Sequence, residues 1–390
     1  MNDFQNHDRM SPLLEIVVTA RPSWARVRSL VFAYRDIAGP DKCRLSLVGP
    51  AVSKRYGDIS HQIPADIKVK TFQTLRDSDD LASVALSSID GSEALARHWS
   101  DSRPDCVLVI ADRTETLGVS STAALMQIPL IHLQGGETSG SIDNKVRDAN
   151  SKLADLHLTT NSFTKDNLIA IGEKEEDIRV VGCPSIDIVK EVVDSNQNWN
   201  LEDIRGVGSI IDPGDEYGIV MFHPDTLNDF SNEKWVESIL LVVSESLKKW
   251  FWFWPNPDFG TSVISKRLRR AREANLLTNV HFLINTSPDV FVKLAFNASI
   301  MIGNSSFGIR ESSFIGLPVI NLGDRQNCRQ RGPNVFDILN PSVEILKEAI
   351  NMNIGRRYPS SSIYGDGRAG EYAAKAISEW SPRIKGKNKL

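Results

Sequence analysis

An apolar run, Ala298-Ser299-Ile300-Met301-Ile302, gives way at once to Gly303-Asn304-Ser305-Ser306-Phe307-Gly308-Ile309-Arg310-Glu311. Five uncharged residues of this kind read as a parallel strand buried on both faces. Ile309, Ser312, Ser313 and Phe314 then read as one helix, which Gly316-Leu317-Pro318 stops. Glycines and hydroxyls at a strand-to-helix turn bring backbone N–H groups and serine side chains to a helix N-terminus, where an anion is stabilised. Glu311, about one turn further in, offers a carboxylate to vicinal hydroxyls. Phosphate and ribose recognition are thus available together. A tight turn that merely needs glycine is the plainer reading of the same residues.

The alternation of strand and helix continues in both directions from this stretch. Upstream, strands are expected at Leu14 to Val18, Arg44 to Val48, Ile67 to Phe72, Cys106 to Ile110, Ile128 to Leu133, Leu156 to Thr160 and Ile178 to Val181. Helical patterns lie between them, the first carrying Val27, Leu30, Val31 and Tyr34 on one face behind Ser23 as a possible cap. Around Asp194 to Asp215 the pattern breaks into polar sequence, which places a domain junction at about Asp194. Strands then resume at Tyr217 to Phe222, Trp250 to Trp254, Val280 to Ile284, the run before Gly303, and Pro318 to Leu322. A last helix is expected at Ala369 to Trp380. Strand and helix in strict alternation give doubly wound parallel sheets. Trp250, Trp252 and Trp254 alternate with Phe251 and Phe253, as a strand buried on both faces or a stacking platform would.

Composition narrows the function. At 390 residues, 41% hydrophobic and 24% charged, the chain has the make-up of an ordinary globular protein with two or more cores. A net charge of -4 argues against nucleic acid, so any phosphate site is local. The basic tail from Arg383 to Lys389 reads as a solvated end. Cys43, Cys106, Cys183 and Cys328 form no metal or disulfide pattern. With no signal-peptide core and no apolar run near the ~20 residues of a membrane span, the expectation is a cytoplasmic protein without a membrane partner.

In doubly wound folds ligands meet the carboxyl ends of the strands, and two such domains are expected to leave a cleft there. The polar residues at those ends are Thr19 to Arg21, Asp112-Arg113, His132 through Asp143 with Arg147, His223 to Thr226, Gly303 to Glu311, and Gly323 to Gln326. Arg21, Arg113, His223 and Arg325 are suitable donors to a diphosphate. Asp112, Glu137 and Asp143 are carboxylates available for proton transfer. Each also has a plainer reading. Asp112 or Asp143 would serve as a helix cap, Arg147 as the i+4 partner of Asp143, and His132 as a core histidine. Neither a nucleophile elbow nor a calcium-loop spacing is present.

Taken together these residues resemble the hydrolysing UDP-N-acetylglucosamine 2-epimerases, which supply N-acetylmannosamine for sialic acid synthesis. The resemblance spans nearly the whole chain. It rests on Asp112-Arg113, on Gly135-Gly136-Glu137 with Gly140-Ser141-Ile142-Asp143, and on His223-Pro224 with Thr226. It rests also on Gly303 to Ser306 with Glu311, and on Pro318 to Gly323 with Arg325-Gln326. It implies an α/β, glycosyltransferase-B-like fold of two Rossmann-like doubly wound domains, with the C-terminal helix crossing back to the first. Residues 1–193 would be the catalytic domain, 194–367 the UDP-binding domain and 368–390 the returning helix and tail. It further implies a homodimer or homotetramer that needs no cofactor and no metal.

The family reaction removes the C2 proton of the sugar as UDP leaves C1, then adds water to the resulting 2-acetamidoglucal. An unactivated C2–H is a poor acid, so stabilising the departing diphosphate is the larger electrostatic task. The resemblance assigns Arg21, His223, Ser305 and Ser306 to the diphosphate, Glu311 to the ribose, Arg113 to the nucleotide and Arg325 to its surroundings. Asp112 and Asp143 match the acid–base carboxylates, and His132 and Arg147 join the binding set. Two departures stand out. Gln134 occupies the place of a glutamate that is catalytic in many relatives, and an amide moves no proton at neutral pH; Glu137 or His132 stands near enough to compensate. Thr19 to Arg26 also departs from the usual Arg-Ala-Asp-Tyr segment, with Ala25 lacking a hydroxyl. The same reaction on UDP-2,4-diacetamido-2,4,6-trideoxyglucose is therefore an alternative, as are a glycosyltransferase of this fold and a nucleotide-sugar binding protein without catalysis.

Overall fold

A computed structural model describes residues 11–53, 59–76, 80–138, 143–224, 229–255, 261–284 and 286–382. The first half runs β1 (Leu14–Val18), α1 (Arg21–Ala38), β2 (Cys43–Val48), β3 (Lys68–Phe72), α2 (Leu81–Asp101), β4 (Cys106–Ile110), α3 (Thr114–Leu125), β5 (Leu130–Leu133), α4 (Asp143–Leu153), β6 (Leu156–Thr159), α5 (Ser162–Ala170), β7 (Ile178–Val180) and α6 (Pro184–Ser195). The second runs β8 (Gly206–Gly208), β9 (Tyr217–Met221), α7 (Asp229–Ser244), β10 (Lys249–Phe253), α8 (Thr261–Glu273), β11 (Val280–Leu283), α9 (Pro288–Asn297), β12 (Ile300–Gly303), α10 (Glu311–Ile315), β13 (Val319–Leu322), β14 (Val335–Ile338), α11 (Val343–Asn353) and α12 (Ala369–Glu379). Unit 1 comprises Met1–Glu137, Ile142–Asp187 and Arg368–Leu390, and unit 2 comprises Thr138–Ser141 and Ile188–Gly367, each taken over its described residues.

In unit 1 the sheet is parallel throughout, in the order β3-β2-β1-β4-β5-β6-β7. Its central strands carry no solvent-facing side, because helices cover both faces; β1 and β4 are buried at every residue. The C-terminal helix belongs to this unit. Ala373, Ala374 and Ile377 of α12 share one apolar cluster with Val27, Leu30 and Val31 of α1. A side chain at Gly370 would lie 2.5 Å from the Ser29 backbone, so only glycine lets the two helices approach. Asp187 secures the start of α12 by accepting the N–H groups of Ala369 at 2.9 Å and Gly370 at 2.8 Å. The return of the last helix to the first domain thus has a packing cause and a capping cause.

Unit 2 orders its strands β14-β13-β12-β9-β10-β11-β8, all parallel except β8, which runs antiparallel to β11. Trp250, Phe251, Trp252 and Phe253 are buried on both faces of β10, so the aromatic strand is core. Four elements were not evident in sequence. β8 is a three-residue Gly-Val-Gly strand, β14 is a half-exposed edge interrupted by Asp337, and α6 and α11 are the helices that follow β7 and β14. Among the described residues no helix is long and apolar enough to cross a membrane.

Strand order reverses between β1 and β4 in unit 1, and between β9 and β12 in unit 2. Such switch points are where ligands of doubly wound sheets bind. Thr19 to Arg21 follow β1, Asp112 follows β4, His223 follows β9 and Asn304 follows β12. The sequence candidates therefore fall on both reversals.

Candidate active site

At the ends of two adjacent strands in unit 1 the backbone turns left-handed at residues that are not glycine. Ala111 after β4 has φ 56° and Gln134 after β5 has φ 65°. Ala111 donates its N–H to Leu133 O at 2.8 Å and Gln134 its N–H to Leu158 O at 2.9 Å, so each hangs on the last rung of the sheet. Strain of this kind persists only where its surroundings enforce it, and it collects at functional sites. The turn at Ala111 presents Asp112, whose carboxylate forms an ion pair with Arg147 of α4. Arg147 is 2% exposed and donates also to Glu137 O and Asn144 Oδ1, both at 2.7 Å.

This geometry corrects several of the plainer sequence readings. Arg147 takes Asp112 as its counter-ion, so its role is more than that of an i+4 companion to Asp143. Asp112 is not a helix cap, since Arg113 holds the N-cap position of α3 and no side chain caps that end. Asp143 is the first residue of α4. Ser23 lies inside α1, which starts at Arg21 after the uncapped Ala20. Arg21 itself has its pKa drawn below the ordinary arginine value by burial. Arg113 is partly exposed and pairs with Glu115 at 3.1 Å.

Gln134 is enclosed at 1% exposure; its Nε2 donates to Cys183 Sγ at 3.2 Å, while its Oε1 has no hydrogen-bond partner among the described residues. Glu137 is buried beside it in sequence. Gly136 between them has φ 78°, and a Cβ there would lie 2.1 Å from Thr164 O, so the turn admits only glycine. His132 is fully buried and sits behind the turn, with Nδ1 3.0 Å from Ser151 Oγ and Nε2 2.8 Å from Ala111 O. With both nitrogens occupied by protein, it is a core histidine and not the substrate contact expected from sequence.

In unit 2 the switch point is closed by Gly303, whose φ of 144° and whose absent Cβ, which would stand 1.9 Å from Met221 O, let β12 meet β9. Asn304, 1% exposed, accepts the His223 N–H on Oδ1 at 2.8 Å and donates Nδ2 to His223 O at 2.9 Å. Its own carbonyl accepts Arg325 Nη1 at 3.2 Å and Gln326 Nε2 at 2.9 Å. One asparagine thus ties together the segments that follow β9, β12 and β13. Sequence reading placed it in a motif without giving it this role.

The helix expected straight after Gly303 is broken. A 3-10 turn, Ser306–Gly308, comes first, and α10 begins only at Glu311. Ser305 accepts the Phe307 N–H at 3.4 Å, and Arg310 donates to Ser306 Oγ at 3.3 Å. Glu311 therefore opens its helix and is not one turn inside it. It is 7% exposed, with Oε2 buried, 3.9 Å from the Arg310 Nε charge but lacking a hydrogen-bond donor among the described residues. A buried carboxylate oxygen without a donor is costly, and a ligand hydroxyl is the kind of group that relieves it. Asp225, Thr226 and the 139–142 part of the Gly-x-Ile-Asp segment lie outside the described residues, as does the basic tail. Among the described residues no group of three His, Cys, Asp or Glu could hold a metal ion.

Burial pushes the His132 ring down to about 4, against the opposing hydrogen bond to Ala111, and pushes His223 down to about 3 with the help of the Arg325 charge. Both rings are therefore neutral at neutral pH. Unfolded histidine titrates near 6.5, so unfolding takes up protons below that pH. Stability from these two groups is complete above about pH 6.5 and is lost as pH falls toward the folded values. The urea midpoint should be level between about pH 7 and 8 and fall between about pH 6 and 4. His132→Gln, with no titrating ring, should fall less steeply; an acid limb identical to that of the parent would contradict the assignment.

Over residues 42–378 the chain matches the sequence family described as UDP-N-acetylglucosamine 2-epimerase. It is 31% identical over 330 residues to the GDP/UDP-N,N'-diacetylbacillosamine 2-epimerase (hydrolyzing) of Campylobacter jejuni, covering 83% of each chain. It is 31% identical over 271 residues to the Legionella pneumophila UDP-N,N'-diacetylbacillosamine 2-epimerase (hydrolyzing), covering 69% of each. The fold is similar to the crystal structure of the Neisseria meningitidis UDP-GlcNAc 2-epimerase bound to UDP-GlcNAc. The TM-score is 0.75 at 16% identity, over 93% of this chain and 99% of that one.

Proposed function

The chain belongs to the UDP-N-acetylglucosamine 2-epimerase family, and from that premise we propose that it is a hydrolysing 2-epimerase of a UDP-2-acetamido sugar. The observation that carries the reading is the Asp112–Arg147 pair at the sheet reversal of unit 1, a half-buried proton-transfer carboxylate held beside a buried, fixed countercharge. A base takes the C2 proton, the C–H electrons form the C1–C2 double bond, and the C1–O bond breaks to release UDP. Water then adds hydroxyl at C1 and a proton at C2 from the opposite face. With UDP-N-acetylglucosamine the products are N-acetylmannosamine and UDP.

Unit 1 supplies the proton-transfer groups, Asp112 and Asp143 with Glu137; Gln134 orients and does not transfer protons. Unit 2 supplies the nucleotide-holding groups. Arg325, Ser305, Ser306 and the neutral His223 face the leaving diphosphate, whose growing charge is the main electrostatic load. Glu311 accepts the ribose hydroxyls. Within unit 1, Arg21 and Arg113 are the cations offered to an anionic substrate. No metal or cofactor enters this reading, a homodimer or homotetramer is its assembly, and a nucleotide-sugar substrate places it in the cytoplasm. UDP-2,4-diacetamido-2,4,6-trideoxyglucose is the second substrate reading, favoured because both relatives at 31% identity carry N,N'-diacetylbacillosamine in their names.

Incubation with each UDP sugar in deuterated water, followed by NMR, tests the reading. Release of UDP with a free 2-epimer labelled at C2 is the expected result, and the preferred sugar identifies the substrate. Transfer that occurs only with an added acceptor would make the protein a glycosyltransferase. Binding of both sugars without turnover would make it a nucleotide-sugar binding protein.

A further inference from the structure

Ala111 is gripped from three sides. Its N–H donates to Leu133 O at 2.8 Å, and its carbonyl oxygen accepts both His132 Nε2 at 2.8 Å and Asn150 Nδ2 at 3.2 Å. Because Nε2 meets a carbonyl, it carries the proton, so Nδ1 accepts from the Ser151 hydroxyl at 3.0 Å. Asn150 Nδ2 also donates to Thr116 Oγ1 at 2.8 Å, and that hydroxyl donates to Arg113 O at 2.5 Å. One buried amide thereby holds the residues on both sides of Asp112. Arg147, Asn150 and Ser151 lie on the buried face of α4, so a single helix surface serves the carboxylate, the turn and the histidine.

We propose that His132 and Asn150 are positioning residues: together they hold Ala111 in the left-handed conformation that aims the Asp112 carboxylate at the substrate C2–H. The proposal rests on the 2-epimerase reading. A left-handed conformation is unfavourable for an L-residue, and an extended alternative is open to alanine. Relaxed, the same peptide would turn the Asp112 side chain away from Arg147. Misplacement of a reacting group by about 1 Å is enough to cost a hundredfold in rate.

Asn150→Leu is close in volume and removes an Oδ1 that has no hydrogen-bond partner among the described residues, so the fold should survive it. Its kcat should fall by roughly tenfold or more, with KM and UDP affinity within about twofold of the parent. His132→Leu should behave likewise. His132→Gln, whose amide reaches about where Nε2 lies, should recover most of the loss. Crystal structures of Asn150→Leu and His132→Leu should show Ala111 out of the left-handed region and Asp112 drawn from Arg147. Full kcat in both leucine variants, or Ala111 unmoved in both structures, overturns the proposal. A parent that turns over neither UDP sugar while Ala111 moves in the variants would overturn the 2-epimerase reading and leave the grip on the turn established.

Discussion

Asp112→Asn should release UDP from its sugar nucleotide about a thousandfold more slowly than the parent protein, within the range spanned by loss of a positioned acid or base, while binding UDP as before. Asparagine keeps the size of the side chain and keeps an oxygen that accepts from Arg147, so the turn at Ala111 and the donations of Arg147 to Glu137 O and Asn144 Oδ1 have no reason to change. What is lost is the capacity to carry a proton. Neither Gln134, an amide, nor His132, a buried neutral ring with both nitrogens occupied, replaces it. Steady-state UDP release and calorimetric UDP binding separate the two effects. Equal loss of both would mean that Asp112 supports the nucleotide and not the chemistry. Full turnover would shift the proton transfer to Asp143 or Glu137.

The sheets could be read in the sequence because a parallel strand covered on both faces is an unbroken apolar run, as in Cys106 to Ile110 and Ile300 to Ile302, and a polar cluster marks where each run stops. The same rule placed Asp112, His223 and Asn304 at strand ends without any coordinates. What escaped it depends on partners distant in sequence. Nothing local to Arg147 points to Asp112, 35 positions away and on another element, whereas the i+4 relation to Asp143 is plain on a helical wheel. Nothing in Ala111 announces a positive φ, since alanine is ordinarily right-handed or extended; the grip of His132 and Asn150 imposes it from outside. The break after Gly303 has a different origin. Gly308 and the paired serines favour a tight 3-10 turn, so a face that reads as one helix is divided at Glu311. β14 was missed because the exposed Asp337 interrupts its short apolar pattern.

Arg147→Met is expected to lower the stability of the protein by about 3 kcal/mol, the lower end of the loss when one partner of a buried ion pair is removed, because Asp112 keeps some access to solvent. The guanidinium is almost wholly enclosed, and its side chain reaches Asp112, Glu137 O and Asn144 Oδ1 at once. Methionine fills much of the volume but supplies no donor, so the Asp112 carboxylate stays partly buried without its countercharge and the Glu137 carbonyl loses a charged donor. Turnover should fall as well, because the carboxylate is no longer held. Combining Arg147→Met with Asp112→Asn removes the stranded charge. The double variant should therefore regain a few kcal/mol in urea unfolding relative to Arg147→Met alone, a coupling that a double-mutant cycle measures directly. It should regain no turnover, since the proton-transferring group is still missing. Stability and catalysis would then separate at one ion pair. A double variant as unstable as the sum of the two single losses would show that the residues act independently, and that the contact between Asp112 and Arg147 does not fix the position of the carboxylate.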